Sequence, residues 1–561
     1  MELLSRFTPK LLIFVLTIFL ATYAFTPPLD PDLGWHFRYG AEITNRILKP
    51  NHKVLEPGQA KLDPAPREKL GETLLNLDQF NQVFGHYNYQ NYEWLSEVLY
   101  YFVYKHFWLW GLVFLNMVVV GLSFVLPLLV FKNTSNLAKL LTLSLGLSVS
   151  WPVISFGARP QLFTILTLSL SYFIIYRFKM RNKDRHEDQK SSLSIIVGNL
   201  IFVLPVILGL LTSLHPGFSA VLASLIIITL AEALETMAAR FSPKLSPSPT
   251  FGINSSLFDY RLTLSKSKIL KMLLVTLLAL LAALIAGPYG ANPTFYYIKG
   301  LFTGLLVKSH NPGIGEILEW TPINLNTEFG ALVLTSILAW IFTALYKVKA
   351  GKAHIFLSQF VLAAAFTLLT YTARRHLPLY AVVIMPIICE GLSDVIESLE
   401  LRPKVGLEFF AAVSFLLFLS LRTPIRVISA LNLLKNESSF FLSNGSTVKA
   451  LEWVEKNHPA GNLFNLYDWG GFIDWQAPEL KGFIDGRMPG WHQGNDFIFN
   501  DYLKAFAGAE GFEKILEKYQ IAWTFLPPNA PLNTALSQKK DWEVTYQDDQ
   551  VVIYQMRKMK I

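Results

Sequence analysis

Long apolar runs separated by short polar segments occupy most of the chain. The first run, residues 11–25, leads into Pro27 and Pro28 without a small-residue cleavage site, so we expect a retained helix rather than a cleaved signal. Further runs long enough to cross about 30 Å of hydrocarbon lie near residues 108–131, 139–157, 161–178, 194–213, 217–238, 270–288, 330–346, 354–372, 378–397 and 405–421. The pattern predicts about eleven membrane-spanning helices.

Two longer segments lack such runs. Residues 28–107 form a long loop in which 35–48 and 93–105 have the apolar spacing of helices, and we expect both to lie along the membrane surface. Between them, residues 50–72 are rich in Pro, Lys, Glu and Gly and predict an irregular excursion.

The second segment begins near residue 430 and predicts a small α/β domain. We expect helices at 446–456 and 512–519 and strands at 462–466, 482–485, 523–526 and 551–555. The chain is therefore predicted to divide into a membrane domain, residues 1–430, and an external soluble domain, residues 431–561.

Composition supports a membrane protein and excludes other classes. Of 561 residues, 52% are hydrophobic and 16% are charged, and the mean hydropathy is +0.36. A soluble protein has about a quarter of its residues charged. The apolar content also excludes a disordered chain, and the single cysteine, Cys389, excludes a disulfide-stapled fold.

The basic residues of the short loops indicate the orientation, because cytoplasmic loops retain lysine and arginine. Six lie between residues 177 and 190 and six between 240 and 271, on the side that also holds the N-terminus. The short loops on the opposite side hold few, among them Arg159, Arg374 and Arg375. We therefore expect a multi-pass protein of the cytoplasmic (inner) membrane with its N-terminus in the cytoplasm and its C-terminal domain external, or periplasmic.

Unusual polar residues gather at the external ends of the predicted spans. Asp30 and Asp32 follow the first span, and paired arginines such as Arg374 and Arg375 run against the positive-inside bias, which indicates an anionic partner. A carboxylate can accept the proton of an acceptor hydroxyl while cations hold a departing phosphate. The pattern favours chemistry on a lipid-linked phosphate.

Simpler roles for these residues stay open. The Asp-Pro-Asp segment can cap the helix near Trp35, external arginines can bind lipid head groups, and isolated histidines such as His215 and His376 are commonly structural. The histidines lack the spacing of zinc ligands, so we predict no zinc site.

The remaining acids also have two readings. Glu93 and Glu97 share one helix face and can pair with Lys105 or solvent. Asp485 and Arg487 can close a turn as an ion pair, which we favour over direct contact with an acceptor.

A series of short motifs occurs in order along almost the whole chain. They are Asp30-Pro31-Asp32-Leu33-Gly34-Trp35-His36, Glu93-Trp94-Leu95-Ser96-Glu97, Arg159-Pro160-Gln161, His215-Pro216-Gly217, Gly287-Pro288-Tyr289-Gly290, Glu319-Trp320, Arg374-Arg375-His376, Trp469-Gly470-Gly471 and Phe483-Ile484-Asp485-Gly486-Arg487. In these motifs the chain resembles bacterial multi-pass membrane proteins of the GT-C glycosyltransferase superfamily. Distant relatives there include dolichyl-phosphate-mannose protein mannosyltransferases, the aminoarabinose transferase of lipid A and oligosaccharyltransferase catalytic subunits.

The resemblance implies a GT-C-like helical membrane fold and an inverting transfer of a hexose or pentose. The donor is a polyprenyl-phosphate sugar, the acceptor a glycan, lipid or protein at the outer face of the membrane, and no nucleic acid takes part. The resemblance maps the catalytic carboxylate onto Asp30 or Asp32. It names no certain cofactor and leaves open whether a divalent metal joins the carboxylates.

Charge and side of the membrane suggest the other roles. We assign phosphate binding to Arg159, His215, Arg374, Arg375 and His376. We assign support of the acceptor or of the loops to His36, Glu93, Glu97, Glu319, Asp485 and Arg487.

Two functions from other classes remain at this stage. A transporter or flippase of a lipid-linked glycan would place charged residues deep within the spans and use inverted repeats with broken helices. A non-catalytic relative would bind a glycan or support assembly of an envelope complex, and composition does not separate it from an enzyme.

Overall fold

The computed structural model of the chain describes residues 30–48, 81–82, 89–131, 134–180, 199–241, 264–287, 317–349, 357–398, 431–432, 434–435, 448–493 and 496–557. Up to residue 398 the described helices are α1 (Leu33–Leu48), α2 (Trp94–Leu128), α3 (Asn136–Ile154), α4 (Gln161–Met180), α5 (Leu204–Leu211), α6 (Phe218–Phe241), α7 (Lys266–Ala286), α8 (Glu328–Lys349), α9 (Leu357–Thr370) and α10 (Leu377–Ser398). Within the described ranges, seven helices are long and apolar enough to cross a membrane: α2, α3, α4, α6, α7, α8 and α10.

The predicted spans at 194–213 and 354–372 correspond to the shorter apolar helices α5, which continues a 3-10 turn at Leu200–Val203, and α9. The predicted runs at 11–25 and 405–421 lie outside the described residues. The prediction of a polytopic helical membrane protein is confirmed, and the number of eleven spans stays a prediction.

Helix α2 joins two segments that the sequence predicts as separate helices. At Trp108 the backbone has φ 55° and ψ −156°, and the helix kinks there. A positive φ is unusual for a bulky side chain, so this residue marks a sharp change of direction. The predicted boundary between 93–105 and 108–131 falls at the kink.

The C-terminal part is a small α/β unit. Its elements are α11 (Val448–Asn457), β1 (Asn462–Asn465), α12 (Gly470–Gln476), β2 (His492–Gln493), β3 (Asp496–Phe497), α13 (Ile498–Phe506), α14 (Phe512–Lys518), β4 (Ile521–Phe525), α15 (Pro531–Ser537), β5 (Trp542–Gln547) and β6 (Val552–Met556). Four strands form a mixed sheet in the order β1-β4-β6-β5, in which β1 and β4 are parallel and the other pairs antiparallel. The predicted strands that became β1, β4 and β6 are confirmed.

The predicted strand at 482–485 is wrong, and the side chain of Asn465 supplies the reason. Its Oδ1 accepts hydrogen bonds from the backbone N–H groups of Phe483 (2.7 Å) and Ile484 (3.3 Å), and its Nδ2 donates to the Ile484 carbonyl (2.8 Å). The backbone polar groups are therefore satisfied by an amide side chain rather than by a strand ladder. Only Gly482 makes a bridge, to Asn81 of the first loop.

We expect Asn465→Ala to destabilise the C-terminal part. The side chain is fully buried, and its loss leaves several backbone groups unsatisfied at about 1–3 kcal/mol each. Thermal unfolding in detergent, followed by tryptophan fluorescence, should show a clearly lower midpoint. The exposed amide Asn457, replaced by Ala, is the matched control, and equal midpoints for the two variants would contradict this role of Asn465.

The first loop and the C-terminal part contact each other. Helix α1 packs against both α2 and α12. Gln82 adds a second contact, because its side chain bonds the backbone N–H and carbonyl of Leu463. The described residues of the predicted external loop therefore contact both helix α2 and the C-terminal part.

Candidate active site

One cavity of about 210 Å³ lies where the first loop, the membrane helices and the C-terminal part meet. Residues just before α4, α6 and α10 contribute to its wall, so three long apolar helices begin beside it. Besides two tyrosines, its ionisable side chains are four acids, three arginines and two histidines: Asp30, Asp32, Glu93, Glu319, Arg159, Arg375, Arg487, His36 and His215. Helix N-termini carry partial positive charge, which favours an anion at this position.

Four alternating charges form a row along one side of the cavity: Asp30, Arg159, Glu319 and Arg375. Arg159 Nε donates to Asp30 Oδ2 (2.5 Å) and Nη1 donates to Glu319 Oε2 (2.6 Å). Arg375 Nη1 lies 3.8 Å from Glu319 Oε1, and its guanidinium stacks 4.0 Å above the ring of Trp320. Burial raises the pKa of Glu319, but Arg159 and Arg375 outweigh it and hold that pKa below its usual value.

The two aspartates occupy different surroundings. Asp30 is 2% exposed; besides its bond to Arg159, its Oδ1 accepts the backbone N–H of Asp32 (3.2 Å). Asp32 is only half-buried and lines the cavity. Burial raises the pKa of Asp32 well above its usual value, and the charge of Asp30 raises it further against the opposing effect of Arg159. Asp32 lines the cavity, whereas both oxygens of Asp30 are bonded, Oδ2 to Arg159 and Oδ1 to the backbone N–H of Asp32.

Glycines let the C-terminal part approach the acidic turn closely. A Cβ on Gly471 would lie 2.4 Å from the Pro31 carbonyl oxygen, so α12 packs backbone to backbone against the turn. A Cβ on Gly486 would lie 1.8 Å from Asp32 Oδ1. The carboxylate of Asp32 thus rests directly on the backbone of Gly486.

The segment Asp485-Gly486-Arg487 is held as a rigid turn. The predicted ion pair is confirmed: Arg487 Nε donates to Asp485 Oδ1 (2.8 Å), which also accepts the Arg487 backbone N–H (2.8 Å). The guanidinium lies within 6 Å of four aromatic ring centroids, at 5.7 Å from Trp35, 5.3 Å from Tyr39, 5.7 Å from Tyr89 and 5.6 Å from Trp491. The turn therefore fixes the wall of the cavity beneath Asp32.

We expect Gly486→Ala to abolish most activity of this cavity, because the added methyl group must displace the Asp32 carboxylate. Gly490→Ala is the matched control, since a Cβ there meets nothing within 4 Å. The measurement is the turnover of both variants beside the wild type, with thermal unfolding to confirm that both fold. Equal turnover of the two variants would show that the placement of Asp32 on Gly486 has no catalytic importance.

Four predicted site residues lie outside the cavity wall: Arg374, His376, Glu97 and Asp485. Arg374 Nε donates to the Pro322 carbonyl (3.4 Å), and His376 Nδ1 contacts the Leu369 carbonyl (3.0 Å). Glu97 is fully buried, accepts from Asn91 Nδ2 (2.7 Å) and faces His36 Nδ1 at 3.6 Å. Asp485 acts through its turn with Arg487. The structure brings the other nine predicted residues together on the cavity wall and leaves these four in supporting positions.

The wall also contains residues to which the sequence analysis assigned no role, among them Tyr89 and Gly486. Gly486 carried a signal, because a glycine between an acid and an arginine suggests a close approach of backbone to another group. Tyr89 stood in a run of aromatic residues without any feature that singled it out.

The acids and histidines do not fit a metal site. In the ranges that the structure describes, no group of three His, Cys, Asp or Glu side chains is arranged to hold a metal ion. Carboxylate oxygens of Asp30 and Glu319 already contact Arg159 or Arg375. The proposed binding and proton-transfer roles are therefore assigned to side chains.

Comparison with known proteins identifies a related fold. No family model and no curated protein sequence matches the chain. Among solved structures, the chain is similar to the oligosaccharyltransferase AglB of Archaeoglobus fulgidus in complex with an inhibitory peptide and a dolichol-phosphate, with 13% identity and a TM-score of 0.51 over 99% of this chain and 75% of that one.

A second similar structure is the Archaeoglobus fulgidus oligosaccharyltransferase tethered to an acceptor peptide containing the NVT sequon via a disulfide bond. The identity is 14% and the TM-score 0.50, over 93% of this chain and 69% of that one. At such identities the likeness concerns the fold. The chain is a polytopic helical membrane protein whose fold is similar to that of these archaeal oligosaccharyltransferases.

Proposed function

We propose that the protein is a membrane glycosyltransferase that moves a sugar from a polyprenyl-phosphate donor to an acceptor hydroxyl or amide. The observation that carries the proposal is the placement of a proton-accepting carboxylate, Asp32, in one cavity with the row Asp30-Arg159-Glu319-Arg375. Such a reaction needs a base for the acceptor and fixed positive charge for the phosphate.

Arg159 and Arg375 are proposed to hold the donor phosphate. A guanidinium has five N–H donors, and Arg159 uses Nε and Nη1 for its two acidic partners, so its remaining donors can bind phosphate oxygens. Asp30 and Glu319 fix both arginines in place and raise the pKa of Arg159 against the effect of burial. The N-termini of α4, α6 and α10 add partial positive charge on the same side.

Asp32 is proposed as the base, and Asp30 as the residue that orients Arg159. Asp32 lines the cavity, where its carboxylate can accept the proton of a bound acceptor, whereas both oxygens of Asp30 are already bonded. A direct attack of the acceptor on the anomeric carbon then gives inversion of configuration, since no covalent sugar intermediate forms.

The comparisons support a lipid phosphate and an acceptor as binding partners. The similar archaeal structures are described with a dolichol-phosphate and with peptides. We also propose that the cavity opens on the outer side of the cytoplasmic membrane, with the N-terminus in the cytoplasm, because most basic residues of the short loops lie on the side of the N-terminus.

A transporter would use buried charges along its path. Buried ion pairs do occur, between Lys179 and Glu232 and between Lys347 and Glu390. Lys179 and Lys347 lie near the ends of α4 and α8 that are remote from the cavity. None of the four residues of these two ion pairs belongs to the cavity wall. The arrangement favours a site at one end over a route through the helices.

The test is transfer by the purified protein in proteoliposomes. The donors are polyprenyl monophosphates that carry radiolabelled hexoses or pentoses. The acceptor is envelope material from the cells that naturally make the protein. We expect one donor to yield a labelled product and free polyprenyl phosphate. Failure of the whole donor panel with folded protein would refute the proposed function.

A further inference from the structure

We propose that Glu93 is a second catalytic residue, which donates a proton to the phosphate oxygen that leaves the sugar, and that His215 positions it. The inference rests on the proposed function and adds a proton donor to it. It starts from a pair of groups on the cavity wall, on the side of Arg159 and Arg375, that the proposed reaction does not yet use.

The hydrogen bonds of His215 define its protonation. The backbone N–H of Gly217 donates to His215 Nδ1 (3.0 Å), so this nitrogen carries no proton, and Thr164 Oγ1 lies 2.8 Å from it as a second donor. The ring proton is then on Nε2, which lies 3.6 Å from Glu93 Oε1. Burial, followed by the charges of Arg375 and Arg159, lowers the pKa of His215 well below its usual value. His215 is thus a neutral ring whose N–H faces Glu93.

Glu93 is held where α2 begins. Its backbone N–H donates to Asn91 Oδ1 (3.0 Å), and its carboxyl group, 21% exposed, lines the cavity. The charged and titratable groups that act on it are Arg375, Arg159, Asp30, Glu319, His215, Tyr89, Glu97 and Tyr100. Burial raises the pKa of Glu93 to about 7, with Arg375 and Arg159 opposing the rise. A large fraction of Glu93 is therefore protonated at neutral pH.

The proton balance of the transfer uses both acids. The bond between the anomeric carbon and the phosphate oxygen breaks, and its electron pair goes to that oxygen, which takes the proton of Glu93. The new bond joins the anomeric carbon to the acceptor oxygen or nitrogen, whose proton passes to Asp32. A donor with one negative charge leaves as a monoprotonated phosphate monoester, and solvent then returns a proton from Asp32 to Glu93.

This division of roles follows from environment. Two carboxyl groups in one cavity act as acid and base when their surroundings differ. Asp32 rests on the backbone of Gly486, whereas Glu93 faces a neutral imidazole and the two arginines that would hold the phosphate. A proton on Glu93 also lowers the negative charge that an anionic donor meets.

The experiment compares Glu93→Gln, Asp32→Asn and the surface control Glu328→Gln with the wild type, using the polyprenyl-phosphate sugar that the wild type accepts. Turnover is measured against pH, and donor affinity and thermal unfolding are measured separately. We expect Glu93→Gln to lose about 10²-fold in turnover, a usual size for general acid catalysis, with donor affinity retained. The wild type should lose activity as pH rises through the pKa of Glu93, and Glu93→Gln should lack this alkaline limb.

The possible outcomes distinguish a failure of this inference from a failure of the proposed function. Glu93→Gln with wild-type turnover and an unchanged alkaline limb, beside an inactive Asp32→Asn, overturns the role of Glu93 and leaves the proposed function standing. An inactive wild type overturns both. If Glu93→Gln unfolds, Glu93→Asp is tested in its place. A shorter acid that still donates a proton should retain part of the turnover and the alkaline limb. A folded Glu93→Asp that is inactive and lacks this limb would overturn the inference.

Discussion

Asp32→Asn is expected to lower turnover by about 10³-fold, within the range that positioned general bases contribute, while the protein still folds and binds its donor. The amide has nearly the shape of the carboxylate and fits on Gly486, but it cannot take a proton. Turnover with the identified donor is the measurement. Asp541→Asn, at an exposed position, is the control and should match the wild type.

Asp30→Asn separates the two aspartates. This change removes the charge that pairs with Arg159, so we expect weaker donor binding together with slower turnover, rather than loss of turnover alone. The amide oxygen can still accept the Asp32 N–H and keep the turn. If Asp30→Asn loses turnover alone while Asp32→Asn stays active, the assignment of the base is reversed.

Arg159→Gln is expected to have the second largest effect, a loss of about 10²–10³-fold in turnover, which is the usual cost of removing one preorganised electrostatic group. The change also leaves Asp30 and Glu319 without their shared cation. Both acids then bind protons more readily, so the acidic limb of the pH profile should move to higher pH. The measurement is turnover and donor affinity across pH.

Two variants control this prediction. Arg557→Gln removes an exposed arginine paired with Glu543, and we expect it to change neither turnover nor the pH profile. Arg159→Lys keeps the positive charge, but a single ammonium group cannot bond Asp30 and Glu319 in the geometry of the planar guanidinium. We therefore expect its activity to lie between that of Arg159→Gln and that of the wild type. Full activity in Arg159→Gln would exclude this residue as a phosphate contact.

The sequence was sufficient to predict the seven long apolar helices that the structure describes, because each span is a local property of an apolar run. The same holds for α1, which the helical spacing of its apolar residues predicted, and for strands β1, β4 and β6. Local pattern failed at 482–485, where a buried amide from β1 replaces the strand partner. It also could not show that the two helices meeting at Trp108 continue into each other through a kink.

The arrangement of the candidate site depends on contacts between residues that are far apart in the sequence, which a local pattern does not predict. Side and charge suggested that Asp30, Arg159 and Arg375 share a surface, and the structure places all three on one cavity. Arg374 and Arg375 are neighbours with the same chemistry, yet only Arg375 faces the cavity, because the 3-10 turn at Arg374–His376 sends consecutive side chains in different directions. The contact between Gly486 and Asp32 joins residues too far apart in sequence for any pattern to reveal.

The measurement that tests the central claim most directly is the stoichiometry and stereochemistry of transfer by the wild-type protein and Asp32→Asn in proteoliposomes. We predict that the wild type releases one polyprenyl phosphate for each sugar transferred, that the anomeric configuration determined by NMR is inverted, and that Asp32→Asn forms neither product at a comparable rate. Equal product from Asp32→Asn would contradict the account because it excludes Asp32 as the base, and retention of configuration would contradict it because it excludes a single direct displacement at the anomeric carbon.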